Sequence, residues 1–263
     1  GALTAMRRGP LAARRRAASA RILIAGARAA YVGPALDLAP HRNAAATVAI
    51  GLDAPFSLAL LTRHAPGRYT TRRIALIPSG TRHHLIGAGD MVFLYLDALS
   101  DDHRRLRESA LDGAWARLAE DSDAERAHWT ADSLCRALGV PDRPAIDPRI
   151  AAVVRRIDAR PQDFSRIDLA AARVPLSASR FRALFQAGVG MPFRRYRLWR
   201  RMALVLEAVA AGASLTAAAQ DAGFASSAHL STAFRGMFGI TPSRLVEVGA
   251  RIERARASVP ESA

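Results

Sequence analysis

Between Arg21 and Leu96 the apolar positions fall in short runs: Arg21 to Ala30 around Ile22 and Ile24, Thr47 to Leu52, Phe56 to Leu61, Arg73 to Ile77 and Met91 to Leu96. Turn-forming clusters separate them, namely Gly33-Pro34, Ala54-Pro55, Pro66-Gly67, Pro78-Ser79-Gly80 and Gly87-Ala88-Gly89-Asp90. Runs of this length with this punctuation predict strands, and their spacing predicts a small barrel or sandwich. After Ser100 the period lengthens. Leu106, Leu111, Trp115 and Leu118, then Trp129, Leu134 and Leu138, recur at helical spacing and predict helices over 101–120 and 122–138. Gly139, Pro141 and Pro144 mark 139–146 as a linker. From about Asp147 onward the pattern is helical throughout. Pro148 opens a helix reaching about Ala159, and Pro192 opens a long one over about 193–211 that Gly212 stops.

The helical part contains a repeat. Ser177, Phe181, Phe185 and Gly190 return 49 residues later as Ser226, Leu230, Phe234 and Gly239. Each copy follows a short alanine-rich stretch, Leu169 to Arg173 and Thr216 to Ala222. A short helix, a tight turn and a second helix opened by a serine cap is the layout of a helix-turn-helix. On the helix 177–187, Phe181, Leu184 and Phe185 share one face and are expected to pack on Leu169, Ala170 and Val174. Ser179, Arg182, Ala183 and Gln186 lie on the opposite face, at the spacing of one helical stripe. On 226–237 the buried set is Leu230, Ala233 and Phe234, and the exposed set is Ser227, Ala228, His229, Thr232 and Arg235. A helix in the major groove offers such a face to base edges. Arg182 suits guanine N7 and O6, and Gln186 suits adenine. Arg235 is better placed for a phosphate. The helix joining the copies, roughly eighteen residues at about 1.5 Å each, spans near 27 Å. That length can hold two recognition helices in successive major grooves. It carries Arg194, Arg195, Arg197, Arg200 and Arg201, some of which are expected to face phosphates.

Residues 147–249 resemble the DNA-binding domain of AraC/XylS-family transcription regulators. The resemblance rests on Tyr196-Arg197-Leu198, Ala203, Ala222-Gly223-Phe224, Phe234-Arg235, Phe238-Gly239 and Thr241-Pro242-Ser243. It implies base contacts from Ser179, Arg182, Ala183, Ser227, Ala228, His229 and Thr232. Many members carry arginine where this chain has Ala183 and Thr232, which points to weaker guanine readout there. Ile77 to His83 and Leu94-Tyr95-Leu96-Asp97 resemble, more distantly, the cupin-like sensor found upstream in many members. The implied architecture is α+β and multidomain. A tail (1–19) precedes a cupin-like, effector-binding β-barrel (20–100) and a helical dimerisation segment (101–138). The linker (139–146), an all-α double helix-turn-helix domain (147–249) and a C-terminal tail (250–263) follow. The implied partners are double-stranded DNA, a small-molecule effector, RNA polymerase and a second copy of the chain.

Charge agrees with a polyanionic partner. Net charge is +15, and all 38 basic residues are arginine. Residues 1–150 carry 21 Arg against 15 acidic residues, and 151–263 carry 17 against 8, so the shorter segment is the more basic. A solvated basic surface accounts for the charge equally well. The single Cys135 excludes an internal disulfide and a cysteine-based zinc finger. No apolar run approaches a membrane span, and a cytoplasmic protein is expected.

A cupin-like barrel raises the question of metal chemistry. Adjacent His83 and His84 point to opposite faces of a strand, and no glutamate precedes Glu108. The histidine pair two apart followed by glutamate is therefore missing, and neither a metal, a cofactor nor a catalytic group is expected. His41 and His83 stand as candidate effector contacts. The other class open to the sequence is a cupin-type ligand-binding or enzymatic protein carrying an accessory DNA-binding domain.

Overall fold

The computed structural model of the chain describes residues 20–61, 67–142 and 145–254. The expected N-terminal tail and residues 255–263 lie outside them. The β-rich half contains β1 (Arg21–Ala25), β2 (Arg28–Pro34), β3 (Ala45–Gly51), β4 (Phe56–Leu60), β5 (Thr70–Arg72), β6 (Ile74–Ile77), β7 (His83–Ile86) and β8 (Asp90–Asp97). Arg21 to Ala30, one stretch by its pattern, breaks into a hairpin. Gly26, at φ 60°, supplies the left-handed residue of the tight turn. Gly33-Pro34 ends β2 instead of interrupting a loop.

The strands form two sheets. One is six-stranded in the order β6-β3-β8-β2-β1-β9, and one is three-stranded in the order β5-β4-β7. β9 (Arg251–Arg254) comes from the far end of the chain and pairs in parallel with β1. The residues expected as the start of a C-terminal tail are thus a strand. Arg21 holds it with a two-pronged ion pair to Glu253 at 2.8 and 2.6 Å, and Arg254 lies 3.3 Å from Asp158.

Strand alternation divides the six-stranded sheet into two apolar faces. Val92, Leu94 and Leu96 of β8, with Val48, Ile50 and Leu23, point to one side. There they meet α1 (Asp101–Arg105), α2 (Leu111–Glu120), α3 (Asp123–Arg126) and α4 (Ala131–Ala137) through Leu106, Leu111, Leu118, Trp129, Leu134 and Leu138. Two long helices were expected over 101–138, and four short ones fill the span. Their apolar stripes, which suggested pairing with a second copy, are covered by the sheet. Arg28, 1% exposed, secures this layer with two 2.8 Å bonds to Asp102 and one of 2.9 Å to Asp132. A guanidinium this deep is tolerated because carboxylates meet it.

Met91, Phe93 and Tyr95 point the other way, into a core shared with the three-stranded sheet and with the helical domain. That domain comprises α5 (Pro148–Ala159), α6 (Ile167–Ala171), α7 (Ala178–Val189), α8 (Phe193–Ala210), α9 (Leu215–Asp221), α10 (Ser227–Phe238) and α11 (Pro242–Glu247). Tyr95 of β8 meets Phe238 of α10 edge-on at 5.1 Å, and Phe238 meets Trp199 of α8 at 5.1 Å. Beside this aromatic column sits Asp97, with no exposed surface. Its Oδ2 accepts from Trp199 Nε1 at 2.8 Å and from Arg195 Nε at 2.9 Å.

Candidate nucleic-acid interface

Both recognition helices are built alike. Ser177 Oγ accepts from the Arg180 amide at 3.2 Å, and Ser226 Oγ accepts from the His229 amide at 3.0 Å. Each cap satisfies one N–H that the first turn leaves without an intrahelical partner. Gly190 and Gly239 end the helices in the left-handed region, at φ 76° and 74°. Phe181 and Phe185 of α7 are sealed from solvent among Phe193 and Tyr196. Leu230 and Phe234 of α10 are sealed likewise, with Phe234 at 4.8 Å from Phe238. Leu169, expected in this core, is 44% exposed. The five-residue α6 turns Ala170 and Ala171 inward, and the small residues let α7 approach without it.

The groove-facing candidates gather on the outer faces. Ser179, Arg182 and Ala183 are exposed and Gln186 is half-buried. Ala228, His229, Thr232 and Arg235 are exposed and Ser227 is half-buried. His229 rests edge-on against Phe224 at 5.7 Å, and the Arg201 guanidinium lies 4.0 Å above the same ring. Of the α8 arginines, some of which were expected to face phosphates, most are engaged within the protein. Arg195 is committed to Asp97. Arg200, 1% exposed, pairs with Asp158 at 3.1 Å. Arg197 donates to the Pro161 carbonyl at 2.9 Å, and Arg201 donates to the carbonyls of Ala222 and Gly223. Guanidinium groups here satisfy the carbonyls at the ends of short helices and turns, which no spacing rule reveals. Arg194 is exposed.

The β-rich domain holds both recognition helices by their C-terminal ends. The Asp101 amide donates to Gly190 O at 2.8 Å, and the Ala44 amide donates to Gly236 O at 2.8 Å. At the second contact the fit is closer. A Cβ on Gly239 would run into the His41 ring and Asn43 Oδ1, whereas one on Gly190 would sit 3.5 Å from Asp101. Asp97, Asn43 and these two carbonyls had no signal in the sequence beyond the resemblance around Leu94 to Asp97.

His41 and His83, the candidate effector contacts, are neighbours. Each backbone amide donates to the other's carbonyl, at 3.0 and 2.9 Å, and the rings lie 4.5 Å apart. Burial holds both imidazoles below their usual pKa, His83 at about 4, so both are neutral near pH 7. With Asn43, Thr47, Phe93 and Tyr95 they line a cavity inside the β-rich domain. His84 turns to the other face, as alternation requires, and bonds Tyr69 at 2.6 Å. A second cavity adjoins it, sharing Leu36 and Tyr95. It lies between Ile22, Ile24 and Tyr31 of the sheet and Trp199, Met202 and Phe234 of the helical domain.

Residues 170–247 match the family model of a helix-turn-helix domain. The C-terminal region thus carries a helix-turn-helix domain. A search of curated proteins gave no match. Among solved structures, the chain is similar to ToxT from Vibrio cholerae O395, at 13% identity over 84% of this chain and 98% of that one, with a TM-score of 0.44. It is also similar to unsaturated fatty acid bound wild-type ToxT from Vibrio cholerae strain SCE256, at 12% identity over 91% and 100%, TM-score 0.41. Protein NMB1881 from Neisseria meningitidis is 17% identical over 33% of this chain and 91% of its own, TM-score 0.26. The matched residues lie wholly within the helical half. Among the described residues, no helix is long and apolar enough to cross a membrane.

Proposed function

We propose that the chain is a sequence-specific, DNA-binding transcription regulator whose N-terminal domain takes a small-molecule effector. The observation that carries this reading is the pairing of two identically capped recognition helices, with exposed polar faces, on one continuous helix α8. Ser179, Arg182, Ala183 and Gln186 read one major groove, and Ser227, Ala228, His229 and Thr232 read the next. Arg235 and Arg194 contact phosphates. Arg182 supplies most of the base discrimination, because a guanidinium is the one group in the set that bonds guanine bidentately.

The effector is a largely apolar small molecule held in the cavity between the sheet and the AraC-type domain. This cavity is lined almost wholly by apolar side chains, among them Ile22, Ile24, Met202 and Phe234, and its free volume is about 40 Å³, so an effector has to part its walls to enter. An occupant there touches both domains, so it can bias how they dock wherever it binds one arrangement more tightly. His41 and His83 line the polar end of the adjoining cavity. In this reading the protein is a regulator and not an enzyme. It works in the cytoplasm, pairs with a second copy and meets RNA polymerase through surfaces other than the stripes of α2 and α4 that the sheet covers.

The test is binding to operator sites selected from random DNA, measured against salt. The logarithm of affinity should fall linearly with the logarithm of salt, with a slope equivalent to about four to eight phosphates per AraC-type domain. A flat response between low and physiological salt overturns the reading.

A further inference from the structure

We propose that α1, in the β-rich domain, extends the DNA-binding surface, with Arg104 and Arg105 each meeting a backbone phosphate beside the groove that α7 reads. The inference rests on the regulator reading. The outer stripe of α7 runs through Ser179, Ala183 and Gln186, and Gly190 continues it, seven residues after Ala183 and four after Gln186. At that end the stripe meets α1. The Asp101 amide donates to Gly190 O at 2.8 Å, and the Asp101 side chain comes within 3.5 Å of where a Cβ on Gly190 would sit. Asp101, Arg104 and Arg105 stand at i, i+3 and i+4, so the residue that touches α7 and the two arginines share one face of α1. Two stripes therefore adjoin end to end, the reading stripe of α7 and a basic one.

The rest of α1 fixes this attitude. Ser100 Oγ accepts from the His103 amide at 3.2 Å and caps the helix. Asp102, 2% exposed, turns inward to Arg28, and Leu106 enters the apolar layer against the sheet. The opposite face is left to solvent. Arg104 is exposed and pairs with Asp101, and Arg105 is exposed with no partner among the described residues. Arg107 is taken up by the carbonyls of Arg104 and Leu106. Length puts the basic face at the phosphates. From Arg182 to Gly190 is about 12 Å along the helix axis, as far as the major groove is wide. A helix that sets Arg182 on a base edge thus brings its C-terminal end, and α1 with it, out at the phosphate backbone. Guanidinium groups there release counterions and fix the register of the protein without reading bases.

The test is the salt dependence of binding by the full-length protein to an operator selected from random DNA. Arg104→Gln/Arg105→Gln should lessen the slope of log affinity against log salt by about 1.8, at about 0.9 for each phosphate. Preference over a panel of single-base changes, and the thermal unfolding curve, should stay as they are. Asp101→Asn removes a negative charge beside the same phosphates and frees Arg104, so it should tighten binding at low salt severalfold. Arg117→Gln/Arg136→Gln makes the same change in net charge at exposed positions of α2 and α4 and should leave the slope alone. An unchanged slope in the α1 double variant, an equal fall in the α2 and α4 variant, or no tightening by Asp101→Asn overturns the inference. A flat salt response of the unaltered protein overturns the regulator reading as well. A steep response that the α1 double variant leaves untouched overturns this inference alone.

Discussion

In the first helix-turn-helix, α7 turns two sealed phenylalanines inward and Arg182 and Gln186 outward. In the second, α10 seals Leu230 and Phe234 inward and shows Ala228, His229 and Thr232. Caps and stops coincide, from Ser177 and Ser226 to Gly190 and Gly239. The differences lie where each helix meets something else. On the proposed reading, α7 offers DNA the more selective chemistry, through Arg182 and Gln186. Toward the β-rich domain, α10 is the more tightly engaged, with Gly239 pressed on His41 and Asn43 and with Phe238 edge-on to Tyr95. The repeat thus keeps its folding residues while its copies differ outside them, and on the proposed reading one copy reads DNA while the other engages the β-rich domain.

The sharpest blow to the shared part is removal of the core ring. Phe185→Ala and Phe234→Ala should each cost about 3–5 kcal/mol, since each ring is nearly inaccessible. Thermal unfolding by circular dichroism should show comparable losses, and DNA binding should fail at every sequence alike. A large loss for Phe234→Ala beside a negligible one for Phe185→Ala would show that the second copy alone carries the fold.

The next pair separates turn from docking. Gly190→Ala and Gly239→Ala both force an alanine into the left-handed region, at roughly 1–2 kcal/mol each. Gly239→Ala must also displace His41 and Asn43, so its melting temperature should fall further. Hydrogen exchange at the Ala44 amide, which donates to Gly236 O, should accelerate in Gly239→Ala and hardly change in Gly190→Ala. Equal effects of the two variants would mean that the closer fit at α10 contributes nothing.

What could be read from the sequence follows the same division. Apart from β5 and β7, which had no apolar run to mark them, the strands between Ile22 and Leu96, the recognition helices, their caps and their exposed faces announce themselves through period and punctuation, which are local signals. The docking between domains does not. Asp97 finds Arg195 and Trp199 about a hundred residues away, and β9 finds β1 across almost the whole chain. The stripe from Leu106 to Leu138 was legible as apolar, but its partner was not, because a stripe looks the same whether a sheet or a second copy covers it. Arg197 and Arg201 read as surface charge, yet they serve carbonyls that only the folded turns bring near. The pairing of His41 with His83 was hidden for the same reason, since strand alternation could place His83 opposite to His84 but could not bring in His41.

The smallest effects test the reading face itself. Arg182→Ala removes an exposed side chain, so stability should stay within about 0.5 kcal/mol. Specific binding should weaken by about 1–3 kcal/mol, with preference relaxed at one base position of the site. Thr232→Ala, at the corresponding outer face of α10, keeps a methyl group and loses one hydroxyl. Its cost should stay below about 1 kcal/mol, near the net worth of a single hydrogen bond. Binding profiles over a panel of single-base changes in the selected operator measure both. If Thr232→Ala costs as much as Arg182→Ala and relaxes its own base position as far, the second copy reads as strongly as the first. The division of labour between the two copies would then be wrong, even with both helices in their grooves.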